Sequence, residues 1–485
     1  MNKPIRRVSI FCLVLILALM ARTNWVQGVQ ATSLADNTHN DRNKYDRYAY
    51  PRGNIMVGGT PVTSSDFVNG LRYKYKRSWK DGALYAPVTG YSSQSFGSSQ
   101  LESLEDGVLA GTDDRLFFRN TLDMLTGKQK QGGDVTTTIN AKAQKAAFDG
   151  LGAKKGAAVA IDPRTGAILA LVSTPSYDPS TFAGGGAEDT KAWTDLNADA
   201  NKPMLNRALR ETYPPGSTFK LVTASAAFEN NVFHSIDDPT DTPDHYILPN
   251  TTTELKNESA NEPCAGATLK VGMDYSCNTV YGKIGADLGR DKMREQAEKF
   301  GFNTTVDTPI RAVQSFYPKT SSADGTALDS IGQHDTRATP LQMAMVAAAI
   351  CNNGSLMQPY LVDEESSASL TTISKHSPKQ LSQAISPATA QKLQDMMVSV
   401  VDNGTGTNAK IPGLTVGGKT GTAQHGEDNN GLPFAWFVSY AKDANNNAVA
   451  VAVVVEDGSN NRDGISGGRL AAPIAKAVMQ AALSK

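Results

Sequence analysis

Metal ligands and cross-linking residues are scarce in this chain: four cysteines and six histidines are scattered through 485 residues. The cysteines make neither a metal pattern nor a regular disulfide framework, and no HExxH or paired-histidine spacing occurs, so a catalytic metal is not expected. An excess of charge of one sign is missing as well. Lysine and arginine number 47 and aspartate and glutamate 48, for a formal net charge of -1. This excludes the electrostatic footprint of a nucleic-acid binder. No internal repeat is visible, which argues against a solenoid or propeller. What remains, with 40% hydrophobic and 20% charged residues, is a globular chain long enough for two or three domains.

One long apolar run is present, at the amino terminus. Lys3, Arg6 and Arg7 precede an uninterrupted stretch of 14 residues from Val8 to Ala21, the length of a signal-peptide core. Counted on to Val26 it has 19 residues, about 28 Å at about 1.5 Å per residue, close to the ~30 Å hydrocarbon core. Arg22 would snorkel near the outer end, and Trp25 would sit at the interface. Small residues follow at Gly28 and Ala31 without a clean Ala-x-Ala site, which favours a retained anchor (residues 1–28) over a cleaved signal. In either case the positive flank stays inside and the later residues face outward.

Residues 29–50, rich in Asn and Asp, read as a linker. Residues 51–145 carry short apolar groups broken by Gly, Ser and Pro, with some helix near Arg115 to Leu125 and no constellation suited to chemistry. They read as a small, mostly extended, non-catalytic domain. Ala141 to Leu151 has helical composition. Ala157 to Asp162 and Ala167 to Ser173, joined by Asp162-Pro163-Arg164-Thr165-Gly166, predict a hairpin, and the stretch from there to Lys202 reads as loop. Helices are expected from Ser217, around residue 276, at Pro340 to Cys351 and at Pro387 to Val401. Residues 231–266 read as an irregular surface insertion and 361–383 as exposed. Strands are predicted at Thr415 to Ala423, Phe434 to Ala441 and Ala448 to Glu456, before a terminal helix at Ala471 to Leu483. Strands early and late, with helices between, predict an α+β domain over 146–485 whose sheet pairs the two chain ends.

Three short motifs in this larger domain carry chemistry. Ser217-Thr218-Phe219-Lys220 matches S-x-x-K, Ser276-Cys277-Asn278 matches S-x-N, and Lys419-Thr420-Gly421-Thr422 contains K-T-G. Each alone is weak; an S-x-x-K match is expected about once or twice by chance in a chain this long. Pro214-Pro215-Gly216 cannot continue a helix, so Ser217 is expected at or near the start of the next one, with a free backbone N–H and a favourable helix dipole. Lys220 lies one turn on, on the same face. A serine hydroxyl is a poor nucleophile until a neighbour takes its proton. A lysine becomes that neighbour only if burial and a nearby positive charge, here Lys419, lower its pKa from about 10.4. Ser276 and Asn278 would point to one side of an extended loop, a hydroxyl to relay a proton and an amide to hold a peptide group. Taken alone, the same triplet reads as a helix cap. Lys419, Thr420 and Thr422 could hold a carboxylate, and Gly421 permits close backbone approach. The N–H groups of Thr422 and Ser217 could form an oxyanion hole.

These motifs extend into a longer resemblance. PRGNI at 51–55, YAPVTGYSS at 85–93, GGDVTTTIN at 132–140 and LALVSTPSYDP at 169–179 belong to it. So do YPPGSTFKLVTA at 213–224, YSCNT at 275–279, ATPLQMA at 338–344, GTGTNA at 404–409, GGKTGTAQ at 417–424 and AWFVSYA at 435–441. The chain resembles class B penicillin-binding proteins, the peptidoglycan D,D-transpeptidases, of the actinobacterial penicillin-binding protein A type. The resemblance implies the penicillin-recognising serine transpeptidase/β-lactamase-like fold behind an N-terminal pedestal, and no cofactor. It implies that Ser217 attacks the penultimate D-alanine carbonyl of a peptidoglycan stem pentapeptide, that penicillin and other β-lactams acylate the same serine, and that a polytopic membrane glycosyltransferase of the cell-wall and division machinery is a partner. A D,D-carboxypeptidase would use the same residues with water as acceptor. A β-lactamase would need a placed deacylating carboxylate, a β-lactam sensor further membrane helices, and an inactive scaffold would have lost a motif residue.

Cys12 falls in the apolar run and Cys351 on an apolar helix face, which leaves Cys264 and Cys277 as the natural pair in an oxidising exterior. A disulfide there would fix the loop that aims Ser276 and Asn278. Two buried free thiols are the alternative.

Overall fold

The computed structural model describes residues 3–35, 37, 47–69, 73–116, 130–259, 261–426, 429–456 and 462–484. Linker residues 36 and 38–46 lie outside them, and so does the helix expected near Arg115 to Leu125, apart from a single 3-10 turn at Asp114–Leu116. The amino-terminal run forms one helix, Lys3–Gly28, of 26 residues with none buried. Among the described residues no other helix is long and apolar enough to cross a membrane.

The larger domain is organised by a five-stranded antiparallel sheet in the order Thr415–Ala423, Phe434–Lys442, Ala448–Val455, Gly156–Ile161, Ile168–Thr174. The sheet pairs the two chain ends as the sequence predicts, and the early hairpin closes with Ala157 opposite Ser173. Its inner strands read as nearly continuous apolar runs because both faces are covered, whereas the edge strand Thr415–Ala423 carries Lys419 and three threonines. In Ala448–Val455, Ala450, Ala452 and Val454 face one core, and Val449, Val451, Val453 and Val455 face the other. The terminal helices Ala141–Leu151 and Ala472–Leu483 cover the second face through Ala143, Ala147, Val478 and Met479. The first face takes Lys220–Glu229, Pro340–Cys351 and Pro387–Asp402. Pro340–Cys351 is buried along its whole length, which is why it is apolar all round. Thr339 caps it by accepting from Gln342 N at 3.1 Å, with Pro340 at the first helical position.

Two stretches hold secondary structure beyond the sequence-based expectation. The supposed loop before Lys202 contains a 3-10 turn, Pro179–Phe182, and a helix, Ala187–Ala198. The glycines there form the helix entry: Asp189 accepts from Gly184 N at 2.7 Å and Gly186 N at 3.0 Å. Trp193 then stacks on Phe96 with ring centroids 4.7 Å apart. Residues 361–383 are mostly exposed, as expected, but they supply two strands that the sequence does not mark, Val362–Ser366 and Thr372–Lys375, to the pedestal sheet. That sheet runs Thr372–Lys375, Val362–Ser366, Asp134–Thr137, Ile55–Val57, Thr60–Pro61. Val362–Ser366 is half-buried along its length and Thr372–Lys375, at the sheet's edge, is mostly exposed, so they carry no apolar alternation to read.

Candidate active site

The three motifs meet at the edge of the central sheet. Gly216 adopts a left-handed φ of 53°, donates its N–H to Gly332 O at 2.9 Å, and leaves room against the sheet, since a Cβ there would lie 3.1 Å from Ala423 Cβ. Ser217 lies near the start of its helix, as expected. Gly216–Phe219 is a 3-10 turn, and the α-helix starts at Lys220. Gly421 completes the fit, because a Cβ at that position would sit 3.0 Å from Thr218 Cγ2 and 3.1 Å from Pro215 O. The serine turn is therefore pressed onto the K-T-G strand by two glycines, one from each motif.

Lys220 Nζ donates to Ser276 O at 2.5 Å, Asn278 Oδ1 at 2.7 Å and Ser276 Oγ at 3.3 Å. Lys419 Nζ donates to the same Ser276 Oγ at 2.8 Å and to Thr420 O at 3.1 Å. Two lysine Nζ atoms thus converge on one hydroxyl. Its lone pairs are taken, so its own proton is left to donate elsewhere. Both lysines are fully buried, while Ser217 is 7% exposed and can be reached from outside. Burial first, and the Lys419 charge second, hold Lys220 well below the ordinary lysine range. Burial brings Lys419 down to about 8, with Glu258, Asp274 and Glu262 pulling the other way.

The S-x-N segment reaches this geometry by a different route from the expected extended loop. Ser276 has a left-handed φ of 60°, a conformation that costs a non-glycine residue roughly 1–2 kcal/mol. Asn278 is already the first residue of the helix Asn278–Leu288. The turn, and not strand alternation, brings the two side chains to Lys220. Cys277 between them is bonded to Cys264, with Sγ atoms 1.97 Å and Cα atoms 5.7 Å apart, as the cysteine count suggested.

On the K-T-G strand, Thr420 Oγ1 lies 2.6 Å from Thr405 Oγ1, and Thr422 pairs with Ala435 on the neighbouring strand. Thr405 belongs to the GTGTNA stretch, a signal present in the sequence but not connected there to the site. Asp274 was also missed. Burial pushes its carboxyl up, its Oδ2 accepts from Ser399 Oγ at 2.8 Å, and its carbonyl accepts from Thr405 N at 3.2 Å, which ties the S-x-N segment to GTGTNA. Among the described residues no group of three or more His, Cys, Asp or Glu could hold a metal ion.

A reachable serine, a buried lysine of lowered pKa, a hydroxyl bridging two lysines and an edge strand with small residues define an active-serine acyl-transfer enzyme of the penicillin-recognising kind. Residues 156–480 match the penicillin binding protein transpeptidase domain, and residues 52–135 match the penicillin binding protein A dimerisation domain. The chain belongs to the penicillin-binding protein transpeptidase family. It is 40% identical over 496 residues to the peptidoglycan D,D-transpeptidase PbpA of Mycolicibacterium smegmatis, covering 100% of this chain and 99% of that one. With PbpA of Mycobacterium tuberculosis the identity is 38% over 494 residues, with the same coverage. The structure is similar to penicillin-binding protein A from M. tuberculosis in its ceftriaxone acyl-enzyme complex, with a TM-score of 0.86 at 38% identity over 91% of this chain and 100% of that one. For the penicillin G acyl-enzyme complex the TM-score is 0.84 at 38% identity over 90% and 100%.

Proposed function

We propose that this chain cross-links peptidoglycan stem peptides as a D,D-transpeptidase and that Ser217 is the residue acylated, by substrate and by β-lactams alike. The observation that carries the assignment of roles is the meeting of Lys220 and Lys419 at the Ser276 hydroxyl, all three buried. Neutral Lys220 takes the Ser217 proton as Oγ attacks the penultimate D-alanine carbonyl. The oxyanion is held by the Ser217 and Thr422 N–H groups. Ser276, its lone pairs occupied, hands its proton to the departing D-alanine amine and is reprotonated from Lys220. Lys419, Thr420 and Thr422 hold the terminal carboxylate, Gly421 keeps the serine turn close, and Asn278 holds a substrate peptide group. The amino group of a second stem then displaces Ser217.

The helix Lys3–Gly28 serves as a single-pass anchor, residues 29–50 as linker, 51–145 as pedestal and 146–485 as the transpeptidase domain outside the membrane. A polytopic glycosyltransferase of the cell-wall and division machinery is the expected partner. Intact-mass measurement after incubation with a penicillin tests the nucleophile: one adduct is expected, and none in Ser217→Ala, whereas an adduct that survives in the mutant rejects the assignment. A donor thioester with and without an acceptor amine then tests the acceptor, since a D,D-carboxypeptidase would return only hydrolysed donor.

A further inference from the structure

Five helix N-termini around the active-site domain are capped by the side chain of the residue that precedes them, and the S-x-N helix is capped differently. Asn140, Thr268, Ser322, Thr339 and Ser386 each accept from backbone N–H groups of the helices they precede. The S-x-N helix Asn278–Leu288 is preceded by Cys277, whose side chain makes no capping bond and is committed to Cys264. Its first donors are satisfied from another segment. Asn257 Oδ1 accepts from Asn278 N at 2.7 Å and Thr279 N at 3.1 Å, and Asn257 Nδ2 donates to Thr279 Oγ1 at 3.2 Å. The preceding residue holds the other side of the motif: Lys256 O accepts from Asn278 Nδ2 at 2.9 Å. With its backbone N–H and its amide nitrogen both taken by the Lys256-Asn257 pair, Asn278 has one direction left for Oδ1, toward Lys220 Nζ at 2.7 Å.

We propose that Asn257 is a positioning residue for the acylation reaction, capping the S-x-N helix from a separate segment and so aiming Asn278 at Lys220. The proposal rests on the reading of Ser217 as the acylated serine. Asn257 touches none of the motif lysines by the bonds above, so it acts through Asn278. A helix end freed of its cap frays over the first turn, and that turn contains Asn278 itself.

The test uses the full chain in detergent and single-turnover acylation by a fluorescent penicillin. Rates are taken per acylatable molecule at the high-pH plateau, so that a carboxylate's influence on the lysines does not enter. Asn257→Ala is expected to slow the first-order acylation step by about a hundredfold, the scale of an ångström-sized misplacement, with little change in the non-covalent dissociation constant. Asn257→Asp keeps the accepting oxygen and is expected to stay within about threefold of wild type, the scale of a lost peripheral hydrogen bond. Three results overturn the proposal: an Asn257→Ala step within threefold of wild type, an Asn257→Asp step as slow as Asn257→Ala, or an Asn257→Ala protein without a melting transition, which would make Asn257 a folding residue. Wild type is run alongside: if it takes no label, the serine assignment fails, and not the role of Asn257.

Discussion

The pedestal and the active site both bury charge, and they do it in opposite ways. In the pedestal, Glu102 is fully buried and shares its two oxygens between two buried guanidiniums, Arg52 Nε at 2.8 Å and Arg77 Nε at 2.7 Å. Arg52 also reaches Asp106 at 2.5 Å. Although burial disfavours its charge, Glu102 and Asp106 outweigh that and raise the pKa of Arg52. At Arg77 burial outweighs Glu102 and lowers the pKa, from a guanidinium value high enough that the group stays charged. In the active site, Lys220 and Lys419 are equally buried, but their acceptors are neutral: a hydroxyl, backbone carbonyls and one amide oxygen. The charges of Glu258 and Glu262, with Asp274 for Lys419, offset desolvation of the positive form without outweighing it, so the pKa of each lysine falls. Paired charge stays charged and holds structure, whereas unpaired like charge becomes chemistry.

The contrast breaks most severely at Lys220. Replacing it with methionine removes the proton acceptor and also an uncompensated buried amine. Acylation is expected to fall by about 10⁴, the upper range for a general base, while the melting temperature holds or rises. Penicillin labelling kinetics and a thermal melt on one sample check both halves. Glu102→Gln should give the opposite pattern. Arg77 loses its carboxylate and Arg52 keeps only Asp106, at a cost of about 3–5 kcal/mol, seen in a urea melt, with acylation per folded molecule unchanged. Loss of activity without loss of stability would mean that the pedestal pair acts on the site. Removing the disulfide by Cys264→Ser and Cys277→Ser should cost about 3 kcal/mol from loop closure. The smallest effect is expected at Thr405→Val, which deprives the Thr420 hydroxyl of its partner and should weaken penicillin affinity by about 0.5–1.5 kcal/mol, with the acylation step itself little changed.

How far the sequence carried this contrast differs between its two sides. The strands at 434–442 and 448–455 were legible because burial on both faces leaves nearly unbroken apolar runs. The motif residues were legible because each does local chemistry at fixed spacing. Contacts between distant segments were not. Nothing local marks Asn257, which caps a helix 21 residues away. Nor does anything mark Val362–Ser366, which joins a sheet built mainly from the first 140 residues. The turn at Ser276 was misread as extended because a left-handed serine has no sequence signature when the residue is not glycine.

The pH dependence of Ser217 acylation, compared between wild type and Lys419→Met, tests most directly whether like charge drives the site. Acylation requires neutral Lys220, so its rate rises as pH rises through the pKa of that lysine. In wild type this acid limb should lie well below the ordinary lysine value of about 10.4. Lys419 lowers the pKa of Lys220, so removing its charge should move the limb to higher pH even if the plateau also falls through weaker carboxylate binding. A limb at the same pH in both proteins, or a wild-type limb in the ordinary lysine range, would contradict the account.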